Sequence, residues 1–450
     1  MRPSPALRHW LPVCLAALTA TVHAQQFDVQ TRQLDNGMKI LLLEDHSIPS
    51  VALYFLHRVG SRNEHTGITG LSHFFEHMMF NGARKYGPKM FDRAMEDNGG
   101  RNNAYTSEDL TVYQDWFPPS ALPLIFDLEA DRTRDLSFDP KMVESERGVV
   151  ANERRLSVEN NDHNLLGEQL MAAAFNAHPY HWPVVGWMVD IEHWQRQDLV
   201  DYYKTYYAPN NCEMVIVGDF DTTAVMRLAR KYLEPIRAQP APRPVTTTEP
   251  EQMGERRVQL VKFAQLPSLQ VAYHSPAATN DDYVPLEVAS YILLKGESSR
   301  LYRRLVDEEQ VAVSVDGGQS PHLDPFVFLF DIQPRDGVPV GRVEGLLEAE
   351  LGKLQTGPVT ARELQKAKNT AVADFYRTMK TIDGKANALG TYDVLFGDYH
   401  RLFEAPGRIR AVTLEDVQRV ARKYFTPKNR TVAVLVPEKP AGKPDAKTAP

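Results

Sequence analysis

His73, Glu76 and His77 lie within five residues of one another, in the order H-x-x-E-H. On an α-helix His73 and His77 are one turn apart on the same face, with Glu76 beside them. Two neutral imidazoles at that spacing suit a tetrahedral Zn²⁺ ion, and an adjacent carboxylate can take a proton from water activated by the ion. The order reverses the H-E-x-x-H zinc helix. The alternative is an amphipathic helix whose histidines fill a polar seam. Leu71, Phe74, Phe75, Met78 and Met79 surround the pair with apolar surface, and an imidazole against such a surface needs a partner.

A catalytic zinc site needs a third protein ligand and an open position. The candidates lie between Glu144 and Glu153, where Glu146 and Glu153 are seven residues apart and share a helical face, with Val149 and Val150 expected on the packed side. Inward carboxylates are costly without cations to meet them. A solvated acidic face, with Glu144, Arg147, Arg154 and Arg155 as neighbours, accounts for the spacing equally well.

The elements that must carry these residues can be read from the chain. Two short strands flank Leu34–Gly37, where Asn36-Gly37 is a hairpin signal. Val51–His57 is apolar at both parities and reads as a central strand. A polar loop, 60–69, delivers the chain to the histidine helix. A second helix over Pro88–Asn98 ends at Gly99-Gly100, and a strand pair follows over Asn102–Tyr113. Helices are expected at Leu122–Arg132, Lys141–Asn160, Asp198–Tyr207 and Thr222–Leu233, and a strand at Cys212–Gly218.

At 450 residues the chain exceeds one ordinary core. Residues 235–254 are proline-rich without apolar periodicity and read as a linker. The flanking segments, 25–234 and 255–438, look like two copies of one unit. Ile48-Pro49-Ser50-Val51 is echoed by Leu266-Pro267-Ser268-Leu269, and Tyr206–Asn211 by Tyr424–Asn429, both at an offset of 218 residues. That offset carries His73 onto Tyr291 and His77 onto Lys295, so the second copy cannot hold the same metal. A net charge of -7 gives no electrostatic reason to expect nucleic acid. Arg2 and Arg8, the apolar run Leu11–Val22 and Val22-His23-Ala24 follow the plan of a signal peptide over 1–24, too short for a membrane span. Removing it takes Cys14 and leaves Cys212 alone, so no intrachain disulfide supports the exported chain. Residues 439–450 read as a disordered tail.

Over nearly its whole mature length the chain resembles the pitrilysin-type zinc peptidases, the inverzincin group that includes insulin-degrading enzyme and the mitochondrial processing peptidases. The H-x-x-E-H motif matches, and Glu153, 76 residues after His77, falls in E-x-x-V-V-x-x-E at the family's third-ligand position. Gly99-Gly100 with Asn103-Ala104-Tyr105-Thr106 matches the family's G-G-x-x-N-A-x-T element. The resemblance implies an α+β fold of two homologous domains, each a mostly antiparallel sheet packed on helices, together forming half of a clamshell. It implies one zinc ion per chain on His73, His77 and Glu153, and Glu76 as general base. Glu146 would support the site from behind His77, and Asn103, Ala104, Tyr105 and Thr106 would bind substrate backbone by β-addition.

One element departs from the family. Self-sufficient members carry an arginine and a tyrosine in the second domain that face the zinc. In Ser298–Ser314 here those positions are Val306 and Val313, although Tyr302, Arg303 and Arg304 stand near. Valine donates no hydrogen bond to an oxyanion. The chain therefore resembles the zinc-bearing subunit of the divided bacterial members, which implies a heterodimer with a homologous Arg/Tyr-bearing subunit, acting on peptides in the bacterial periplasm. The contrasting expectation is a non-catalytic structural or peptide-binding subunit that keeps the fold.

Overall fold

A computed structural model describes residues 27–438. The signal segment and the tail lie outside the described residues. The first sheet uses β1 (Gln30–Gln33), β2 (Lys39–Glu44), β3 (Val51–His57), β4 (Arg101–Thr106), β5 (Thr111–Phe117) and β6 (Cys212–Gly218), in the order β1-β2-β6-β3-β5-β4. Only β2 and β6 pair in parallel. β3 is central and wholly buried, because its apolar residues serve two cores. Val51, Leu53 and Phe55 face one side, and Ala52, Tyr54 and Leu56 the other.

The helices of this unit are α1 (Leu71–Met78), α2 (Met90–Asp97), α3 (Leu122–Asp135), α4 (Pro140–Arg154), α5 (Asp162–Ala174), α6 (Met188–His193), α7 (Arg196–Tyr206) and α8 (Thr222–Tyr232). The second sheet uses β7 (Arg256–Lys262), β8 (Ser268–Ser275), β9 (Ala312–Gly318), β10 (Phe326–Pro334) and β11 (Arg430–Pro437), in the order β7-β11-β8-β10-β9. Its helices are α9 (Tyr283–Leu293), α10 (Val340–Thr356), α11 (Ala361–Thr378), α12 (Ile382–Phe396), α13 (Arg401–Ala411) and α14 (Leu414–Tyr424). Again one pair, β7 with β11, is parallel. The α+β class and the paired, mostly antiparallel sheets expected from the sequence are observed.

What the sequence did not disclose is an exchange of helices. α12 lies on the first sheet, where Ile382, Ala386 and Leu389 pack with Leu41, Tyr54, Leu56 and Val215. Gly390 permits the contact, since a Cβ there would sit 2.6 Å from a Leu56 methyl. Reciprocally, α5 lies on the second sheet, with Leu166, Leu170 and Ala174 against Ala272, Val327, Ala433 and Leu435. Polar contacts reinforce the first exchange: Lys39 Nζ lies 2.5 Å from Asp393 of α12, and Lys385 pairs with Asp45. Each sheet thus depends on the other half of the chain for one covered face.

Two local readings are corrected. Val149 was expected on the packed side of its helix, but it is 46% exposed while Val150 is fully buried. The helix turns Val143, Val150 and Ala151 into the core, so Val149 shares the open side with the carboxylates. Lys295, the sequence counterpart of His77, lies beyond the end of α9. The uniform offset fails there because the connection between β8 and α9 is shorter than that between β3 and α1, so α9 begins and ends early.

Because α12 seals a sheet that is not its own, Leu389→Ala is expected to lower the stability of the whole chain by about 2–5 kcal/mol. Urea denaturation should show this as one shifted transition, not as the early loss of one half.

Candidate metal centre

α1 is short, and its entry is held by side chains from outside it. Glu64, buried, accepts hydrogen bonds from the Gly70 and Ser72 amides, both at 2.7 Å. Burial pushes this carboxyl up to about 8, while the two amides at the helix N-terminus work in the opposite direction. Asp190 Oδ2 accepts from the Gly67 amide (3.1 Å) and from the Thr69 amide (3.2 Å) and hydroxyl (2.7 Å). Gly70 has φ 89°, and a Cβ there would approach the Val185 carbonyl oxygen to 2.4 Å. The tight crossing of residues 69–70 over 185–186 therefore requires glycine. From this anchored start, Leu71, Phe74, Phe75 and Met78 point into the first core and His73, Glu76 and His77 point out of it.

α4 meets α1 from across the cleft. Its Asp139 cap accepts from the Lys141 and Met142 amides, and Pro140 opens the helix. At its far end the buried Arg154 donates to Glu168 (2.9 and 3.1 Å) and to the Gly186 carbonyl (2.8 Å), fixing the turn that carries Glu153.

His73, His77 and Glu153 come together, with one ligand atom from each lying within 4.8 Å of the others. His73 Nε2 is 3.5 Å from Glu153 Oε1, and His77 Nε2 is 3.3 Å from Glu153 Oε2. Ligands about 2.1 Å from a shared tetrahedral ion stand ~3.4 Å apart, longer than an ordinary hydrogen bond. The donor set and its spacing therefore fit a zinc-sized dication, and Glu153, with 42% of its side chain exposed, leaves the cluster open on one side. Behind it, His77 Nδ1–H donates to Glu146 Oε1 at 2.8 Å, which turns Nε2 toward Glu153. Asn81 donates to the other Glu146 oxygen at 2.6 Å.

The electrostatics follow from this crowding. Burial opposes a charge on His77, but hydrogen bonds to Glu146 and Glu153 outweigh it and raise the imidazole to about 9. The two histidines hold Glu153 well below the usual carboxylate range. Burial raises Glu146, but His77 and Asn81 leave it lowered overall.

Glu76 has a partner that the motif did not announce. Thr106, read from the sequence as a substrate contact, donates its hydroxyl to Glu76 Oε2 at 2.6 Å. β4 is an edge strand, paired only with β5 among the described residues, so its other edge is free for a further strand. Asn103 is exposed, Ala104 rests on the first core, and Tyr105 reaches the opposite face to donate to Asn387 of α12 at 3.0 Å. The β4–β5 turn is pinned to the second half of the chain. Asp109 accepts from Tyr180 (2.7 Å) and from the Leu323 amide (2.9 Å), and Arg62 pairs with Asp324. Asn81, Glu64 and Asp190 were missed from sequence, and Arg154, considered there as part of a solvated face, is buried instead, because their roles are contacts between distant segments. Val306 packs at the edge of the second core and Val313 is half-exposed on β9. Arg304 nearby is engaged with Glu309 at 2.8 Å and Glu308 at 3.3 Å.

Comparison with known proteins agrees with this geometry. Residues 39–186 match the family described as Insulinase (Peptidase family M16), and residues 193–371 match the Peptidase M16 inactive domain. The chain is 30% identical over 434 residues to a Helicobacter pylori protein named Zinc protease PqqE, covering 94% of this chain and 97% of that one. It is 24% identical to the mitochondrial-processing peptidase subunit beta of Lentinula edodes, over 89% of this chain and 88% of that one. A crystal structure described as a protease from Helicobacter pylori superposes with a TM-score of 0.89 at 29% identity, over 91% of this chain and all of that one. The periplasmic protease PqqL from Escherichia coli shares the fold, with a TM-score of 0.75 at 19% identity, over 91% of this chain and 48% of that one. The chain belongs to peptidase family M16. Its relatives include proteins named zinc proteases, and among the described residues no helix is long and apolar enough to cross a membrane.

In chelator-treated protein, the His77 ring is expected to titrate near 9 by NMR and to fall toward its ordinary value in Glu146→Gln. Because the folded value is raised, this contribution to stability is complete below about 6.5 and is lost as pH rises through about 9. Thermal melting of the metal-free protein across that window should show the loss, and Glu146→Gln should lessen it, since Glu153 still raises the ring.

Proposed function

We propose that the chain is a zinc-dependent endopeptidase acting on peptides or small unfolded chains, and that it is the zinc-bearing half of a two-chain enzyme. The observation that carries this reading is the triangle of His73, His77 and Glu153, open on one side and flanked by a carboxylate that is not part of it. Zinc bound there supplies Lewis acidity, activating water at neutral pH and polarising a peptide carbonyl. His73, His77 and Glu153 would hold the ion, while Glu146 keeps the His77 tautomer. Glu76, held by Thr106, accepts the proton of the attacking water and returns it to the leaving amine. The free edge of β4 binds the substrate backbone as an added strand, and Thr106 ties that strand to the general base.

Hydrogen-bond donors for the developing oxyanion are absent at Val306 and Val313. A homologous Arg/Tyr-bearing subunit, closing over this one as the second half of a clamshell, is proposed to supply them. Export to the periplasm is proposed from the N-terminal segment and accords with the periplasmic relative.

The test is a peptide-library digest by this chain with and without the homologous partner, alongside zinc analysis. Glu76→Gln is expected to retain one zinc per chain and lose about 10²–10⁴-fold in turnover of the complex. Glu153→Gln is expected to lose the metal itself. Zinc retention with no turnover in any partnered sample would favour a peptide-binding subunit, and absence of stoichiometric zinc a structural one.

A further inference from the structure

The second unit has a place that corresponds to the metal cluster. α9 follows β8 as α1 follows β3, and α11 succeeds α10 as α4 succeeds α3. Where His77 and Glu153 link α1 to α4, Tyr291 of α9 donates its hydroxyl to Asp374 of α11 at 2.9 Å. Beside this bond lies a cavity of about 330 Å³ bounded by α9, α11, α12 and α13. Its size is at the lower end for small-molecule sites, enough for one or two amino-acid residues.

The charges in this cavity are not balanced in place. Asp374 is satisfied by Tyr291 and by Arg377 at 2.5 Å. The carboxylate of Glu287, half-buried on α9, accepts no hydrogen bond among the described residues. Burial pushes its carboxyl up to about 7, and the Arg408 charge only partly offsets this. Arg408 on α13 is itself only loosely paired, 3.7 Å from an Asp281 that is wholly exposed. Between these groups the wall is aromatic, with Tyr392 and Phe396 stacked at a tilt, centroids 5.1 Å apart. One unmet anion, one weakly met cation and an apolar floor complement a ligand that carries both charges and an apolar body. A lone metal ion would leave the rings and Arg408 unused, and a nucleotide would set its phosphates near Glu287 and Asp374.

We infer that the cavity between α9, α11, α12 and α13 binds a free apolar α-amino acid or dipeptide. Its ammonium group meets Glu287, its carboxylate meets Arg408, and its side chain lies against Tyr392 and Phe396. The inference does not depend on the peptidase reading. If that reading also holds, the ligand has the chemistry of the enzyme's own products.

The test is isothermal titration calorimetry of the full chain with L-phenylalanine and with L-leucyl-L-phenylalanine, in the presence of chelator. Saturable one-to-one binding is expected, weakened about tenfold or more by N-acetylation or by C-terminal amidation, since each removes one charged contact. Glu287→Gln and Arg408→Gln should each reproduce the corresponding loss, with melting temperatures reported for both. Should Glu287→Gln fail to fold, Arg408→Gln and the blocked ligands decide the matter. Glu153→Gln should bind as the unaltered chain does. Absence of saturable heat, equal binding of the blocked ligands, or loss in Glu153→Gln but not in Glu287→Gln or Arg408→Gln would each overturn the inference.

Discussion

The structure is organised around one electrostatic problem: two imidazoles and a carboxylate from separate helices held close enough to share a cation. Without an ion the cluster is already polarised, with His77 drawn toward its charged form and Glu153 kept ionised. Such an arrangement is tolerable only if the backbones that carry it cannot retreat. Two buried carboxylates, Glu64 and Asp190, hold the entry of α1, and the buried Arg154 holds the end of α4. These anchors use hydrogen bonds to backbone and to charged partners, which are stiffer and more directional than apolar packing.

The same anchors tie the cluster to the rest of the molecule. Arg154 and Glu168 join α4 to α5, and α5 is the helix that covers the second sheet. Thr106 joins Glu76 to the edge strand, whose next turn is pinned by residues of the second half of the chain. The exchange of α5 and α12 therefore does more than bury apolar surface. It makes the geometry of a site built wholly from the first unit depend on the second, which among the described residues carries no metal-binding set of its own.

Much of the fold was legible. β3 could be recognised as central because a strand apolar at both parities has to be covered on both faces, and the Asn36-Gly37 hairpin because few other dipeptides favour that turn. The internal repeat was visible in two short echoes with a common offset. Periodicity misjudged Val149, because a helix lying at the edge of a cleft buries only a narrow stripe. The substrate-contact role of Thr106 came from the family resemblance, while its bond to Glu76 had no sequence signal, because its neighbour in space could not be placed.

The sequence by itself determined the local terms: which residues can ligate, that His73 and His77 share a helical face, which segments form strands though not their ends (β5 runs to Phe117, past the expected Tyr113), and that Val306 and Val313 lack donors. Those properties depend on residue type and on spacings of a few residues. Only the tertiary structure decided that Glu153 reaches both imidazoles, that Glu146 binds His77, that Thr106 holds Glu76, and that α5 and α12 trade sheets. Each of these is a contact between segments far apart in the chain, and its distance is set by the packing of everything between them.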